Sequence, residues 1–356
     1  MLDPTTFREI VGGQRRGVHW SLLRGLLGLA AMPYGILAAG RNCYFDLCRG
    51  KIQRVEVPVI SVGNITTGGT GKTPTVEWLA RWFRERDIRV SIVSRGYGAE
   101  KGALNDEALE LEQKLPDVPH VQNPDRVKAA NICIEELNTQ LIILDDAFQH
   151  RRIARDLDLV LIDALDPFGS AHLLPRGLLR ESPTGLRRAD FGVLTRSNLV
   201  TDAVKQTIRQ RIARYAPELE LVETDFVPRA LRCTSGEEES LRAIKNESVA
   251  AFCGIGNPAA FRHALENAGA KIIQFRQFPD HYRYDRDDIE DLVSWASQND
   301  EVDRVVCTHK DLVKIGLHKL GTKPLGALMI GLVPGEGWPV LEARLQKLEQ
   351  QIEREL

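Results

Sequence analysis

Beyond its amino-terminal segment, the chain alternates short apolar blocks with amphipathic ones. VEVPVISVGN, ending at Asn64, is a β-branched run closed by glycine and asparagine, and it predicts a buried strand. KTPTVEWLARWFRERD follows a glycine loop. Val76, Leu79, Ala80 and Phe83 recur there at helical spacing and charges gather toward the end, which predicts a helix. IRVSIVSRGYG, QLIILDDAFQH, LDLVLIDALD and DFGVLTRSN predict further strands. Apolar strands alternating with helices predict an α/β fold with a parallel sheet covered on both faces. Ligands of such sheets sit beyond the carboxyl ends of the strands, where Gly63, Ser94, Asp145, Asp163 and Thr195 fall.

A second block starts near residue 200. VAAFCGIGNPAAFRHALENAG reads as strand, turn and helix, with Asn257 as cap and Pro258 at the first helical position. KIIQFRQFPDHYRY, RVVCTHKD and LGALMIGLVP supply more strands. The Gly254–Gly256 turn lacks the third glycine of a dinucleotide fingerprint, so tight packing explains it better. The expected organisation is an amino-terminal segment over 1–55, a nucleotide-binding core over 56–200 and a smaller second α/β domain over 201–356, whose carboxyl-terminal end can pack back on the core.

The pattern is different in the amino-terminal segment. Gly25 to Gly40 carries no charge over 16 residues and includes Pro33. That is shorter than the roughly 20 residues that span a bilayer. Eight basic and four acidic side chains lie within residues 1–56, with arginines on both sides of the apolar run. An apolar helix with a basic rim suits an anionic membrane surface; a buried helix with a solvated rim is the competing reading. The whole chain has a formal net charge of −2, which gives no signal for a nucleic-acid partner. Its six cysteines include no CxxC pair, which leaves a zinc ribbon unsupported and suits a reducing compartment.

The chemistry begins at TTGGTGKTPT. Thr66, Thr67, Gly68, Gly69, Thr70, Gly71, Lys72 and Thr73 form a phosphate loop in outline: backbone N–H groups for phosphates, Lys72 for the β- and γ-phosphates of ATP, and the Thr73 hydroxyl for magnesium. Thr66 stands where the usual motif has its first glycine. Asp145 and Asp146, ending the strand LIIL, are candidates for a second magnesium anchor. In LLPRGLLRES, Arg176 and Arg180 could clamp a phosphoryl group or form a surface ion-pair network, with Glu181 beside them. By pattern alone, Asp106 reads as a solvated acid and His281 as a structural histidine.

Together these stretches resemble one family, the lipid A 4′-kinases (tetraacyldisaccharide 4′-kinases). VGNITTGGTGKTP, SRGYG, NDEALEL, LDDAFQHRR, LLPRGLLRE, FPDHYRY and THKD occur in the family's order between residues 62 and 311. The resemblance implies a P-loop NTPase-like core, a smaller second domain and an amino-terminal membrane-associating helix. It implies transfer of the ATP γ-phosphate to the 4′-hydroxyl of an acylated glucosamine disaccharide 1-phosphate, at the cytoplasmic face of the bacterial inner membrane. It makes Asp106 the catalytic base and His281 its support, alongside Lys72. It places Asp145, Asp146 and Glu181 around the metal and nucleotide, with Arg180 next to them. Asn105 departs from the family's usual glycine, His309 from its glutamate and Leu178 from its proline. The alternative is a nucleotide-driven switch or membrane assembly factor. Switch-type loops carry a lysine just before the glycine pair, and Thr67 takes that position here.

Overall fold

The computed structural model describes residues 4–96, 106–280 and 282–355, without the side chains of Pro4, Thr5, Asp106, Glu107 and Glu355. α1 (Pro4–Val11) and the 30-residue α2 (Val18–Leu47) come first. β1 (Val59–Asn64), α3 (Lys72–Arg84), β2 (Val90–Ser94), α4 (Asp106–Lys114), β3 (His120–Gln122), α5 (Arg126–Leu137), β4 (Leu141–Asp145), β5 (Leu157–Asp163) and β6 (Phe191–Thr195) build the first block. The second block holds α6 (Asp202–Tyr215), β7 (Glu220–Arg232), β8 (Glu238–Ser240), β9 (Ser248–Cys253), α7 (Pro258–Asn267), β10 (Lys271–Gln277), α8 (Arg286–Ser297), β11 (Arg304–Thr308), α9 (His309–Ile315), β12 (Lys319–Leu320), β13 (Lys323–Pro334) and α10 (Trp338–Glu355).

The strands β1, β2, β4 and β5 are buried almost throughout, as their unbroken apolar runs require of a sheet covered on both faces. β1 lies between β4 and β5, parallel to both. The crevice for a ligand therefore opens at the carboxyl end of β1. A single sheet continues through both blocks in the order β10-β9-β11-β13-β7-β6-β5-β1-β4-β2-β3. β7 makes the join. Glu220–Thr224 pairs in parallel with β6, and Thr224–Arg232 pairs antiparallel with β13.

α10 returns to the first block. Its Trp338, Leu341, Leu345, Leu348 and Ile352 share a core with Val76, Leu79 and Phe83 of α3. These are the apolar positions that recur at helical spacing in both helices, so each buries one stripe against the other and the sheet.

α2 buries none of its residues. The helix extends the uncharged run at both ends, and by length and composition it could cross a membrane. Yet one side is tied to the first block. Tyr34 donates its hydroxyl to the Arg180 carbonyl (2.7 Å), Asn42 donates to Glu181 (2.8 Å), and Arg151 donates to the Asn42 carbonyl (2.9 Å). Gly35 allows a close approach, since a Cβ there would stand 2.9 Å from Leu173.

Candidate active site

The glycine loop joins β1 to α3 and is held from three sides. Gly68 (φ +122°) and Gly71 (φ +91°) adopt backbone conformations that other residues rarely tolerate. The Asn64 amide donates to the Thr70 hydroxyl (2.9 Å), the Thr195 hydroxyl to the Thr70 carbonyl (3.1 Å) and Arg196 to the Gly69 carbonyl (2.7 Å). On the outer side, Thr67 N–H donates to the Leu178 carbonyl and Arg180 N–H to the Ile65 carbonyl, both at 2.8 Å. This gives Thr66 an antiparallel bridge to Leu179. A β-branched residue suits such an extended position, so the missing first glycine has a structural reason.

Lys72 opens α3, and its Nζ stands 3.8 Å from Asp146 Oδ1. Asp146 follows β4 in the left-handed region (φ 48°). Arg180 grips both of its oxygens, at 2.6 and 3.0 Å. Burial works to raise the Asp146 pKa, but the Lys72 and Arg180 charges outweigh it and hold the carboxyl below its usual range. Thr73 stands one residue after Lys72 and lines the same cavity.

That cavity measures about 2370 Å³. The loop forms one wall. Tyr34, Leu37 and Arg41 of α2 form a second, and Asn257, His309 and Lys310 of the second block lie opposite. One space thus meets the phosphate loop, the apolar helix and the second block.

Not every predicted site residue reaches it. Asp145 is buried at the end of β4, level with Val62, and does not line the cavity. Glu181 is fully buried, with its oxygens taken by Arg188 (2.9 and 3.0 Å), Gln149 (3.0 Å) and Asn42 (2.8 Å). It ties α2 to the first block instead of facing the loop. Burial would raise its pKa, but Arg188 keeps it lowered. Arg176 donates to the Val11 carbonyl at 3.0 Å, and so fastens α1 instead of facing a phosphate. Asp106 is the first residue of α4; its side chain, like His281, lies outside the described residues.

The structure adds a buried chain of charges that local sequence reading missed. Lys114 bonds Glu110 (2.8 Å) on α4 and Glu77 (3.1 Å) on α3, and the Glu110 carboxylate lies 3.9 Å from His309 Nδ1 on α9. The helix that Asp106 opens is thereby tied to the phosphate-loop helix and to the second block. The i,i+4 spacing of Glu110 and Lys114 was the available signal; their common partner on α3 was not visible in one helix. Asp311 of THKD is also structural. It accepts from Gly254 N–H (3.1 Å) and the Tyr284 hydroxyl (2.9 Å), which fixes the Gly254–Gly256 turn.

A glycine loop of this build, at the switch point of a parallel sheet, defines a phosphate-loop nucleotide-binding protein. Residues 23–348 match the family model described as tetraacyldisaccharide-1-P 4′-kinase. The chain is 37% identical over 317 residues to a tetraacyldisaccharide 4′-kinase of Halothermothrix orenii, covering 81% of this chain and 82% of that one. A relative of the same name from Anaeromyxobacter sp. (strain K) is 37% identical over 354 residues, covering 93% and 92%. The crystal structure of LpxK from Aquifex aeolicus in complex with ATP superposes with a TM-score of 0.71 at 32% identity, covering 93% of this chain and 99% of that one. The chain belongs to the tetraacyldisaccharide-1-P 4′-kinase family.

Proposed function

We infer that the chain transfers the γ-phosphate of ATP to the 4′-hydroxyl of tetraacyldisaccharide 1-phosphate, a step of lipid A biosynthesis. The observation that carries the site reading is the shared cavity: the phosphate loop and the inner side of α2 face one space. A nucleotide on the loop and a lipid acceptor brought by α2 would meet there. Residues 56–200 act as the nucleotide-binding unit, 201–356 supply the opposite wall and 1–55 face the membrane. The polar ties of Tyr34 and Asn42 along α2 suit a helix lying on the cytoplasmic face of the inner membrane with its outer side in lipid.

Backbone N–H groups of 68–73 and the Lys72 ammonium hold the β- and γ-phosphates. Lys72 exchanges Asp146 for phosphate, and Arg180 keeps Asp146 ionised meanwhile. The residues fit magnesium, which takes few protein oxygens beside those of the phosphates. Among the described residues no three His, Cys, Asp or Glu form a cage; Thr73 and Asp146, which line the cavity, would hold the ion, with Asp145 buried behind them. When bound it would neutralise charge developing between the β- and γ-oxygens. Glu181, engaged by Arg188, Gln149 and Asn42, is left out of that set. Asp106 takes the acceptor proton with His281 in support, roles that rest on the family resemblance.

ATP-dependent phosphorylation of the disaccharide lipid in detergent tests this reading. ATP hydrolysis without any phosphorylated lipid would point to the assembly-factor alternative. A stably folded Asp106→Ala variant with near-normal kcat would remove the base assignment.

A further inference from the structure

α1 lies outside residues 23–348, the span that the family model covers, and it is docked on the core. Ile10 and Val11 are buried, and Arg176 holds the Val11 carbonyl. Arg176 belongs to the same segment whose Leu178 carbonyl accepts from Thr67 N–H. One short stretch of chain therefore fixes α1 and the phosphate loop relative to each other.

From that position Arg8 reaches two walls of the cavity. Its Nη1 donates to the Gly256 carbonyl of the second block at 2.6 Å. Its Nη2 stands 3.2 Å from the point a Cβ on Gly68 would occupy, and it has no hydrogen-bond partner among the described residues. Thr67, the neighbour of Gly68, holds the place where a switch-type loop carries a lysine. The loop itself therefore brings no second cation to this point, and α1 does.

We propose that Arg8 is a further phosphate-contacting residue of the kinase site. With Nη1 anchored on Gly256, it presents the Nη2 N–H groups to the nucleotide's terminal phosphates above Gly68. A guanidinium supplied in cis from a separate element can stabilise charge on a transferring phosphoryl group. Phosphoryl transfer then depends on α1 being seated, which couples the membrane-facing segment to the nucleotide. The proposal rests on the reading that the loop binds ATP.

The test uses the full-length enzyme in detergent with the lipid acceptor, and compares Arg8→Ala and Arg8→Lys. Arg8→Ala is expected to lower kcat/KM for ATP on the order of 10²-fold with an unchanged thermal midpoint. ADP affinity should change less, because ADP lacks the γ-phosphate. Arg8→Lys should recover part of the loss, since a point charge replaces the fork incompletely. Arg8→Ala within twofold of wild type would overturn the proposal. So would equal losses in both variants accompanied by a lowered midpoint, which describe a latch on Gly256 and no phosphate contact. Lys72→Ala serves as the control. If it retains nucleotide affinity, the loop reading fails; if it loses affinity while Arg8→Ala is normal, only the Arg8 proposal fails.

Discussion

Arg180 holds both carboxylate oxygens of Asp146, at 2.6 and 3.0 Å, directly beside Lys72. The acid thus acts as counter-ion for two cations before any nucleotide arrives, and its planar partner fixes its orientation. Arg180→Lys keeps the charge and loses the fork. We expect kcat/KM for ATP to fall on the order of 10-fold, with the thermal midpoint little changed, because the pair is only partly buried. Steady-state kinetics with radiolabelled ATP checks this, and unchanged kinetics would show that the second bond to Asp146 is dispensable.

Lys114 compensates two carboxylates at once, Glu77 buried and Glu110 half-buried. Burial pushes the Glu110 pKa up, but Lys114 and His309 overcome this and hold the carboxyl far below its usual range. A depressed carboxylate contributes stability above its unfolded pKa, which is lost only as pH falls toward the folded value; here that lies at strongly acid pH. Lys114→Met removes the shared cation and leaves Glu77 with Arg81 (3.1 Å) and Glu110 with His309 alone. Because these partners remain, the expected cost in urea unfolding near neutral pH is about 1–3 kcal/mol, below the about 3–5 kcal/mol of a buried charge left with no partner. A loss within about 0.5 kcal/mol would mean that water already screens the pair.

His120 gives the protein a milder acid dependence. Burial lowers its pKa to about 4 from 6.5, and its Nε2 lies 2.9 Å from the Ser94 hydroxyl. The unfolded chain takes up the proton first as pH falls below about 6.5, so this contribution to stability declines from there and is gone below about 4. His150 behaves alike, also at about 4, through burial and then Arg126. His120→Gln is expected to flatten, but not abolish, the fall in unfolding free energy between those limits. Parallel slopes for variant and wild type would contradict the assignment.

The sequence was most informative where one residue type has one physical reason. The β-branched run into Asn64, the glycines at 68 and 71 and the helical stripe of Val76, Leu79 and Phe83 specify strand, loop and helix locally, and all are found in place. Side-chain destinations were less legible. Arg176, Arg180 and Glu181 look alike as parts of one polar stretch, yet they go to Val11, Asp146 and Arg188. Arg176 and Glu181 also meet α1 and α2 across 165 and 139 residues of chain, and Arg180 reaches Asp146 across 34, separations that no local pattern encodes. The continuous sheet was hidden for a similar reason. β7 changes partner at Thr224, and its apolar spacing does not reveal that change.

α2 sets the last prediction. Leu22, Leu29 and Ile36 recur at seven-residue intervals and are 65%, 62% and 72% exposed on the helix that Tyr34 and Asn42 fasten to the core. Each such side chain would gain about 1.5–3 kcal/mol if fully buried in an apolar phase. The eight basic side chains within residues 1–56 add attraction to anionic lipid that salt screens within about 10 Å at 0.1 M. Substituting all three residues with glutamate should therefore lower co-sedimentation with anionic vesicles by at least about 100-fold, because it removes apolar contact and adds repulsion. Wild-type binding should weaken as salt rises and should reverse in alkaline carbonate, as it does for a helix lying on the surface. Retention through carbonate extraction would instead indicate that α2 crosses the bilayer, and the ties at Tyr34 and Asn42 would then have to open.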